Sequence, residues 1–434
     1  MAKAKSKKIT LEEALVPVEE QPYKVPENWC WIHLLDSFDN VTDSKKKLAT
    51  KEYLEDGEYP IIDQGQDFIG GYTDDADMIY DGELPIVIFG DHTRCIKYID
   101  FQFAQGADGV KVLKPKQFWN DKAFYYAMQS IEIPNMGYRR HYPLFKDFCI
   151  PLPPLAEQKR IVEQIESLFS KLDEAKEKAQ EVIDRIETNI EAILYNAFSG
   201  KLTQYWRKEN GVDYNWEKST LSKIVSGLKY GSSEKSDYNN NGTPVLRIPN
   251  IGEGVIDFSD LKYMQGELEN SSHEVFENDI LIIRSNGSRD LVGKCAIVPA
   301  LERRFAYASF LIRIKASDKV LPNYLVRYIN SSMARGQLFA KAKSSSGIHN
   351  INSKELGSIR IDVPTIEEQT EILKIIEPLI KKELAVKNIT SHMIENIAEL
   401  KKSILTKAFR GELGTNVSLE ESSIELLKKT IEEG

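Results

Sequence analysis

IPLPPLAEQKRIVEQIESLFSKLDEAKEKAQEVIDRIETNIEAILYNAFSGKL, residues Ile150–Leu202, decides the architecture of this chain. Placed above IDVPTIEEQTEILKIIEPLIKKELAVKNITSHMIENIAELKKSILTKAFRGEL, residues Ile361–Leu413, it aligns without a gap at an offset of 211. Pro153 meets Pro364, Glu157-Gln158 meets Glu368-Gln369, and Ile161 and Ile165 meet Ile372 and Ile376. At the far end Ile193-Leu194 meets Ile404-Leu405. There too, Ala197-Phe198-x-Gly200-x-Leu202 meets Ala408-Phe409-x-Gly411-x-Leu413. About a third of the aligned positions are identical, so the chain is internally duplicated.

Each copy reads as one helix. Pro151, Pro153 and Pro154 precede the first and Pro364 the second, where proline ends a strand and fits the first helical turn. Gly200 and Gly411 stand where a left-handed cap belongs. In the first copy the apolar residues Ile161, Ile165, Leu168, Leu172, Ala175, Ala179, Val182 and Ile186 alternate steps of four and three, a heptad seam. In the second copy the seam reads Ile372, Ile376, Leu379, Val386, Met393, Ile397 and Ile404, interrupted by Glu383 and Lys401. Pro378 predicts a kink or a delayed start. A helix of about 44 residues is roughly 65 Å long and cannot bury its stripe alone. Its duplicate is the simplest partner, in an antiparallel coiled coil.

The segments before residue 150 and between 203 and 360 alternate short apolar runs with turn signals and read as β-rich. Leu84–Phe89 and Asp279–Ile283 are strand-like, and each is followed by a polar turn containing an arginine, Arg94 or Arg289. The further runs Cys95–Ile99 and Cys295–Val298 follow. Both domains open with an Asn-Trp pair, Asn28-Trp29 and Asn215-Trp216. Both have a helical stretch near the end, Asn120–Gln129 and Asn323–Asn330. Both then show a basic or polar loop, Gly137–His141 and Ser344–Asn350. The fold class is therefore α+β, with two β-rich domains, two long antiparallel helices and a pseudo-two-fold internal duplication. The heads have diverged far more than the helices, which predicts two different ligands.

Composition is that of an ordinary globular protein, 41% hydrophobic and 28% charged. No run approaches about 18 consecutive apolar residues, so no membrane span is expected. Met1–Lys8 is basic but no apolar stretch follows it, which argues against a secretory signal. The cysteines Cys30, Cys95, Cys149 and Cys295 are scattered, which points to a reducing compartment and a cytoplasmic protein. The net charge of −9 is no nucleic-acid footprint in bulk, so any such contact must come from local patches.

No catalytic set emerges. Gly287–Lys294 has the wrong spacing for a phosphate-binding loop, and Cys295 stands where Ser or Thr belongs. Asp91-His92 beside Arg94 reads as a hydrogen-bonded turn or a DNA contact rather than a base. Glu174-Ala175-Lys176 lies within the heptad helix as a solvated face. No metal or cofactor site is expected in this chain. Features suited to DNA are more numerous. Lys45, Lys46 and Lys47, then Arg94, then Arg139, Arg140 and His141 fall on turns of the first domain. Arg284, Asn286, Arg289, Lys341, Lys343, Ser345, His349 and Asn350 do so in the second. Lys and Arg neutralise phosphates, while Arg and Asn can also read guanine and adenine edges.

The string Pro151-Leu152-Pro153-Pro154-Leu155-Ala156-Glu157-Gln158-Lys159-Arg160-Ile161-Val162 resembles the start of the conserved helical region in specificity subunits of type I restriction–modification enzymes. Val363–Gln369 is a decayed second copy, and Ala197–Leu202 and Ala408–Leu413 are similar to the family's helix ends. The resemblance implies a tail at 1–24, a target-recognition domain at 25–150 and a spacer helix at 151–202. It then implies a second target-recognition domain at 203–360, a second spacer at 361–413 and an acidic tail at 414–434. It implies that each domain reads half of a split, asymmetric site in double-stranded DNA while the helices set the gap. It implies a non-catalytic subunit that recruits two methyltransferase subunits and, through them, restriction–translocation subunits. S-adenosylmethionine, ATP and Mg are then expected in those partners. Ile161, Ile165, Leu168, Leu172, Val182 and Ile186 would pair with Ile372, Ile376, Leu379, Met393, Ile397 and Ile404. The alternatives are a protein-binding coiled-coil scaffold and the specificity subunit of a related modification-only defence complex. The acidic tail is open between a short amphipathic helix and a disordered end.

Overall fold

A helix that begins after a proline and ends on glycine needs no other punctuation, and both long helices obey this. In the computed structural model they span Leu155–Phe198 and Ile366–Ala408. Gly200 and Gly411 close them at φ +73° and +74°, a backbone region that costs glycine little. Pro378 lies inside the second helix and does not delay its start. The structure describes residues 10–107, 109–265, 268, 273–341, 343–345 and 348–433, with the side chains of 343–345 and 433 outside the description.

The chain forms two compact units that do not follow its linear segments. The first comprises the residues up to Lys178 and those from His392 onward, and the second Ala179–Ser391. Each unit thus holds one β-rich domain, the start of the helix leaving it and the end of the other helix.

In the first unit, Cys30–His33 pairs antiparallel with Cys149–Leu152, so the domain closes immediately before its helix begins. Its main sheet has the order Phe38–Asn40, Val110–Pro115, Ile86–Gly90, Ile96–Ile99. Ile86–Gly90 is buried throughout, as the unbroken apolar run in the sequence requires. A smaller sheet sets Tyr59–Ile62 between Gly71–Thr73 and Ala104–Gln105, the latter pair parallel. The helix Asp121–Ser130 is capped by Asn120 and buries Phe124, Ala127 and Met128.

The second unit repeats this plan. Glu217–Thr220 pairs with Arg360–Val363. The main sheet runs Val225–Tyr230, Leu311–Ala316, Ile280–Ile283, Cys295–Ile297, Gly254–Val255. Gly242–Leu246 again pairs in parallel with the strand Ala306–Tyr307. The helix Pro322–Asn330 matches the one in the first domain. A further helix, Ser332–Lys341, and the hairpin Lys343–Ser345/Ile348–Asn350 have no counterpart among the described residues of the first domain. The expected strands and domain helices thus fall within a residue or two of their predicted places.

The two long helices run antiparallel within each unit. In the first, Ile161 and Ile165 are buried with Leu405 and Ala408, and Lys401 lies 2.5 Å from Asp173 and over the Phe169 ring. In the second, Leu194 and Ala197 pack with Ile372, Ile376 and Ile380. Asn189 donates to Glu383 at 3.4 Å and Lys387 meets Glu187 at 3.0 Å.

The seam differs from the expected one in its middle. Val182 is 40% exposed, Leu379 43% and Met393 54%, whereas Ile183, Ile380 and Ile394 turn inward. The second helix takes its two consecutive four-residue steps early, at Ile372, Ile376 and Ile380. From there a regular alternation brings Glu383, Lys387, Thr390 and Lys401 onto the seam. A doubled four-residue step is a stutter, which shifts the buried stripe by about one residue. Ile186 and Ile397 are buried, and Leu168, Leu172 and Ile404 are half-buried.

What locks each domain to its helix is polar and buried. Glu157 is fully buried and accepts from Trp29 Nε1 at 2.6 Å, Asn416 Nδ2 at 2.8 Å and Thr415 Oγ1 at 3.2 Å. Glu368, at the equivalent position, accepts from Trp216 Nε1 at 2.9 Å, Thr203 Oγ1 at 2.6 Å and the Arg207 guanidinium. Gln158 Oε1 accepts from Asn120 N at 2.6 Å, and its amide donates to Phe118 O and Pro153 O. Gln369 does the same with Leu321 N, Lys319 O and Pro364 O. A little over two turns later, Glu166 meets Lys122 and Glu377 meets Arg327, each on the domain's own helix. The tryptophans of the Asn-Trp pairs and the glutamates of the Glu-Gln pairs noted in the sequence are thus two halves of one joint.

The acidic tail completes the first joint. Arg160 forms a fork with Glu420 at 2.8 and 2.7 Å, and Ser423 N donates to Asn28 O at 2.9 Å. The helix Ser423–Glu433 then buries Leu427 and sets Leu426 and Ile431 in the same core as Leu11 and Leu15.

Arg207→Ala leaves Glu368, 1% exposed, without its cation. Loss of one partner of a buried ion pair costs about 3–5 kcal/mol. Urea unfolding of the second unit is expected to show a loss of that size. A loss under about 1 kcal/mol would mean that the carboxylate is not held by this charge.

Candidate nucleic-acid interface

The strongest candidate surface in each domain lies where the fully buried central strand ends. In the first domain Ile86–Gly90 is followed by Asp91, whose N–H donates to Gly109 O at 2.6 Å. His92 N–H donates to Gln64 Oε1 at 3.1 Å, and Thr93 Oγ1 donates to Gln64 O at 2.6 Å. Gly109, at φ +74°, has no room for a side chain, because a Cβ would lie 2.5 Å from Gln64 Oε1. The loop before the closing strand folds back onto this turn. His141 N–H donates to Asp91 O at 2.8 Å, and Tyr142 N–H donates to Asp91 Oδ1 at 2.7 Å. Tyr138, 84% exposed, stacks on the His92 ring at 4.7 Å between centroids.

His141 belongs to the frame rather than to the surface. It is fully buried, its Nδ1 donates to Asp91 O at 2.8 Å, and its Nε2 accepts from Met136 N at 3.1 Å. Both ring nitrogens are spent on holding the loop, which lifts Arg139 and Arg140 into solvent. Neither arginine makes a hydrogen bond or ion pair among the described residues. Arg94 is also structural. It sits at φ +63°, and its guanidinium donates to Ile133 O at 3.0 Å. Its counterpart is not Arg289 but Gly293, at φ +88°. Arg94 N donates to Gly90 O, and Gly293 N to Ile283 O, at the same step of the ladder.

The lysine run divides. Lys45 is exposed and Lys47 half-buried. Lys46 donates to Ile79 O and lies 3.1 Å from Asp81, where it holds that carboxyl below the usual range.

In the second domain Arg284 follows the central strand. Its guanidinium lies over the Tyr230 ring at 4.9 Å and donates to Ser309 O at 3.3 Å. Tyr230 in turn accepts from Ser353 N at 2.9 Å. Ser285-Asn286 pairs with His349-Asn350 of the hairpin, so Arg284, Asn286, His349 and Asn350 come together on one edge. Asn350 is exposed and His349 half-buried. Arg289 stands apart from them, over the Phe339 ring, whose other cation is Arg335. Lys341 is committed to Ser358, through O at 3.1 Å and Oγ at 2.6 Å. For Lys343 and Ser345 only the backbone falls within the described residues.

The aromatic platforms Tyr230 and Phe339, and the position of Gln64, were not singled out from the sequence. An isolated tyrosine at a strand end carries no local signal, because the turn that makes it a platform is far away in sequence.

Two recurring frames with differing side chains, each on its own helix, define an internally duplicated two-domain protein. A family model for the type I restriction modification DNA specificity domain matches residues 26–185 and 214–396, and the chain belongs to that family. It is 31% identical over 290 residues to the EcoKI specificity subunit of Escherichia coli K12, covering 64% of this chain and 62% of that one. It is 26% identical over 347 residues to the EcoBI specificity subunit of Escherichia coli, covering 72% and 71%. With the MjaVIII specificity subunit of Methanocaldococcus jannaschii it shares 23% over 416 residues, covering 90% and 94%. The matches span less than two thirds of the EcoKI subunit and 57% of the StySPI specificity subunit of Salmonella potsdam. Among solved structures, a chain from a study of complex assembly and conformational transition in a type I R-M system superposes with a TM-score of 0.61. That chain is 19% identical, and the match covers 90% of this chain and 100% of that one, which shows a shared fold.

His141→Ala removes two hydrogen bonds from the loop frame, one buried and one part-buried. Each buried group left unpaired costs about 1–3 kcal/mol, so local opening is expected to rise on the order of tenfold or more. Tryptic cleavage after Arg139 and Arg140 should accelerate to match. An unchanged cleavage rate would remove His141 from the frame.

Proposed function

We propose that this chain is the DNA sequence-specificity subunit of a type I restriction–modification system. Each domain reads one half of a split, asymmetric target in double-stranded DNA, and the paired helices fix the unspecified gap. The observation that carries this is the repeated frame with unlike tips. A single backbone plan presents Arg139 and Arg140 in one domain and His349 and Asn350 in the other. A scaffold for one kind of protein partner would have no use for such a difference at matching positions. Family membership and the names of the relatives support the same reading.

The chain supplies recognition and carries out no reaction itself. Two methyltransferase subunits dock on it and restriction–translocation subunits join through them. S-adenosylmethionine, ATP and Mg are bound in those partners. Among the described residues no helix is long and apolar enough to cross a membrane, and we place the complex in the cytoplasm with its DNA. The bulk charge of −9 is compatible with this, because affinity is supplied locally by tips such as Arg139-Arg140.

The gap is the testable part. Four residues inserted after Lys178, with four more after Ser391, add about one turn to both helices, roughly 6 Å. The seam of the second helix already contains a four-residue stutter, so pairing tolerates another. Methylation mapping of the assembled complex is expected to show the same two half-sites with a longer gap. A changed half-site, or one contiguous motif in the unmodified protein, would contradict the proposal.

A further inference from the structure

The backbone frame makes single positions comparable between the two domains. Asp91 and Arg284 each follow a central strand, and each N–H donates to the facing chain, at Gly109 O and Phe310 O. Each carbonyl then accepts one N–H from the end of the tip loop, His141 N at 2.8 Å and Ile351 N at 2.9 Å. His141 and Ile351 are therefore the same position, and both are fully buried. The residues just before them, Arg140 and Asn350, are also one position, and both are exposed.

The structure assigns Arg140 and Asn350 as equivalent base-reading residues of the two domains, Arg140 taking a guanine edge and Asn350 an adenine edge in the major groove. The assignment rests on the proposed DNA-reading function. Arginine can donate two parallel bonds to guanine O6 and N7, and asparagine can pair with adenine N6 and N7. The surroundings favour reading over simple charge neutralisation. A position that served only a phosphate would keep a cation in both domains, and here one copy is a neutral amide.

Both residues are also held for the task. The Asn350 backbone lies in a strand paired on both sides, with Ser285 and with Lys343, which leaves only its side chain free. Arg140 is flanked by the buried His141 ring and by the turn at Gly137, whose N–H donates to Asn135 Oδ1 at 3.0 Å. Neither side chain is spent on a hydrogen bond or ion pair among the described residues. Arg94, Lys46 and Lys341 are all so committed.

The test uses the full complex, assembled with its methyltransferase subunits, on a random-sequence DNA library whose modified members are sequenced at two salt concentrations. Arg140→Gln is expected to relax one guanine position in one half-site, lowering its discrimination on the order of ten- to a hundredfold. Asn350→Arg should replace an adenine preference by guanine at one position of the other half-site. In each case the untouched half-site reports that the variant is folded and assembled. Loss that is uniform across sequences and recovered at low salt would mark a phosphate contact and overturn the assignment. So would an unchanged motif, or a change in both halves at once. A wild-type complex that reads a split motif but ignores both substitutions sinks the assignment alone. A wild-type complex that modifies no split motif sinks the DNA-specificity reading with it.

Discussion

A carboxylate buried in the first turn of each long helix governs this molecule. Glu157 and Glu368 have almost no contact with solvent, and a charge in that state is costly unless donors surround it. The donors come from the beginning of the domain, through Trp29 or Trp216, and from the chain beyond the other helix. Glu368 draws Thr203 and Arg207 from the link between helix and domain. Glu157 draws Thr415 and Asn416 from the C-terminal segment and forms no salt bridge among the described residues. A domain therefore cannot leave its helix without stranding a buried charge. By the same logic the acidic tail belongs physically to the first domain, hundreds of residues away in sequence.

The joint also explains where the two copies of the helix stayed alike. The identities gather at the ends. Glu157-Gln158, Ile161, Ile165 and Glu166 have Glu368-Gln369, Ile372, Ile376 and Glu377 as partners in the alignment. Ala197-Phe198 and Gly200 have Ala408-Phe409 and Gly411. Nearly all of these touch a domain core or close a helix. The middle of each helix, where helix–helix packing outweighs contact with a domain, has drifted. Its seam even carries Glu383, Lys387 and Lys401, paired with Asn189, Glu187 and Asp173. Such polar pairs in a half-exposed seam contribute little stability. They favour one register over its neighbours, as buried or half-buried polar positions do in other coiled coils. Attachment accounts for most of the likeness.

Much of the architecture was legible because its signals are local. Prolines and glycines marked the helix ends, and unbroken apolar runs marked Ile86–Gly90 and Ile280–Ile283. The seam of the second helix was not legible, because apolar residues stand side by side at Leu379-Ile380 and Met393-Ile394. Two stripes one residue apart fit equally well, and the winning stripe contains more charge. His141 read as part of a basic tip because Arg-Arg-His resembles one. Only the carbonyl of Asp91, fifty residues earlier, reveals that its ring faces inward. Arg94 matched Arg289 by order along the chain. Ladder position, which sequence does not show, pairs it with Gly293 instead.

The division of labour within each head follows from which groups make the frame. In both heads the tip loop is held by a main-chain bond, Asp91 O to His141 N and Arg284 O to Ile351 N, which survives any substitution except proline, and in the first head the buried His141 ring and the Asp91 carboxylate add to it without using the exposed tip residues. Side chains at the preceding exposed positions bear no structural load and can change freely. A frame built on side chains would couple every change of tip to a loss of stability. One built on the backbone separates the two, so the heads could diverge while both kept the same buried joint to their helices. Divergence at the tips and constancy at the joint are thus consequences of the same distribution of hydrogen bonds.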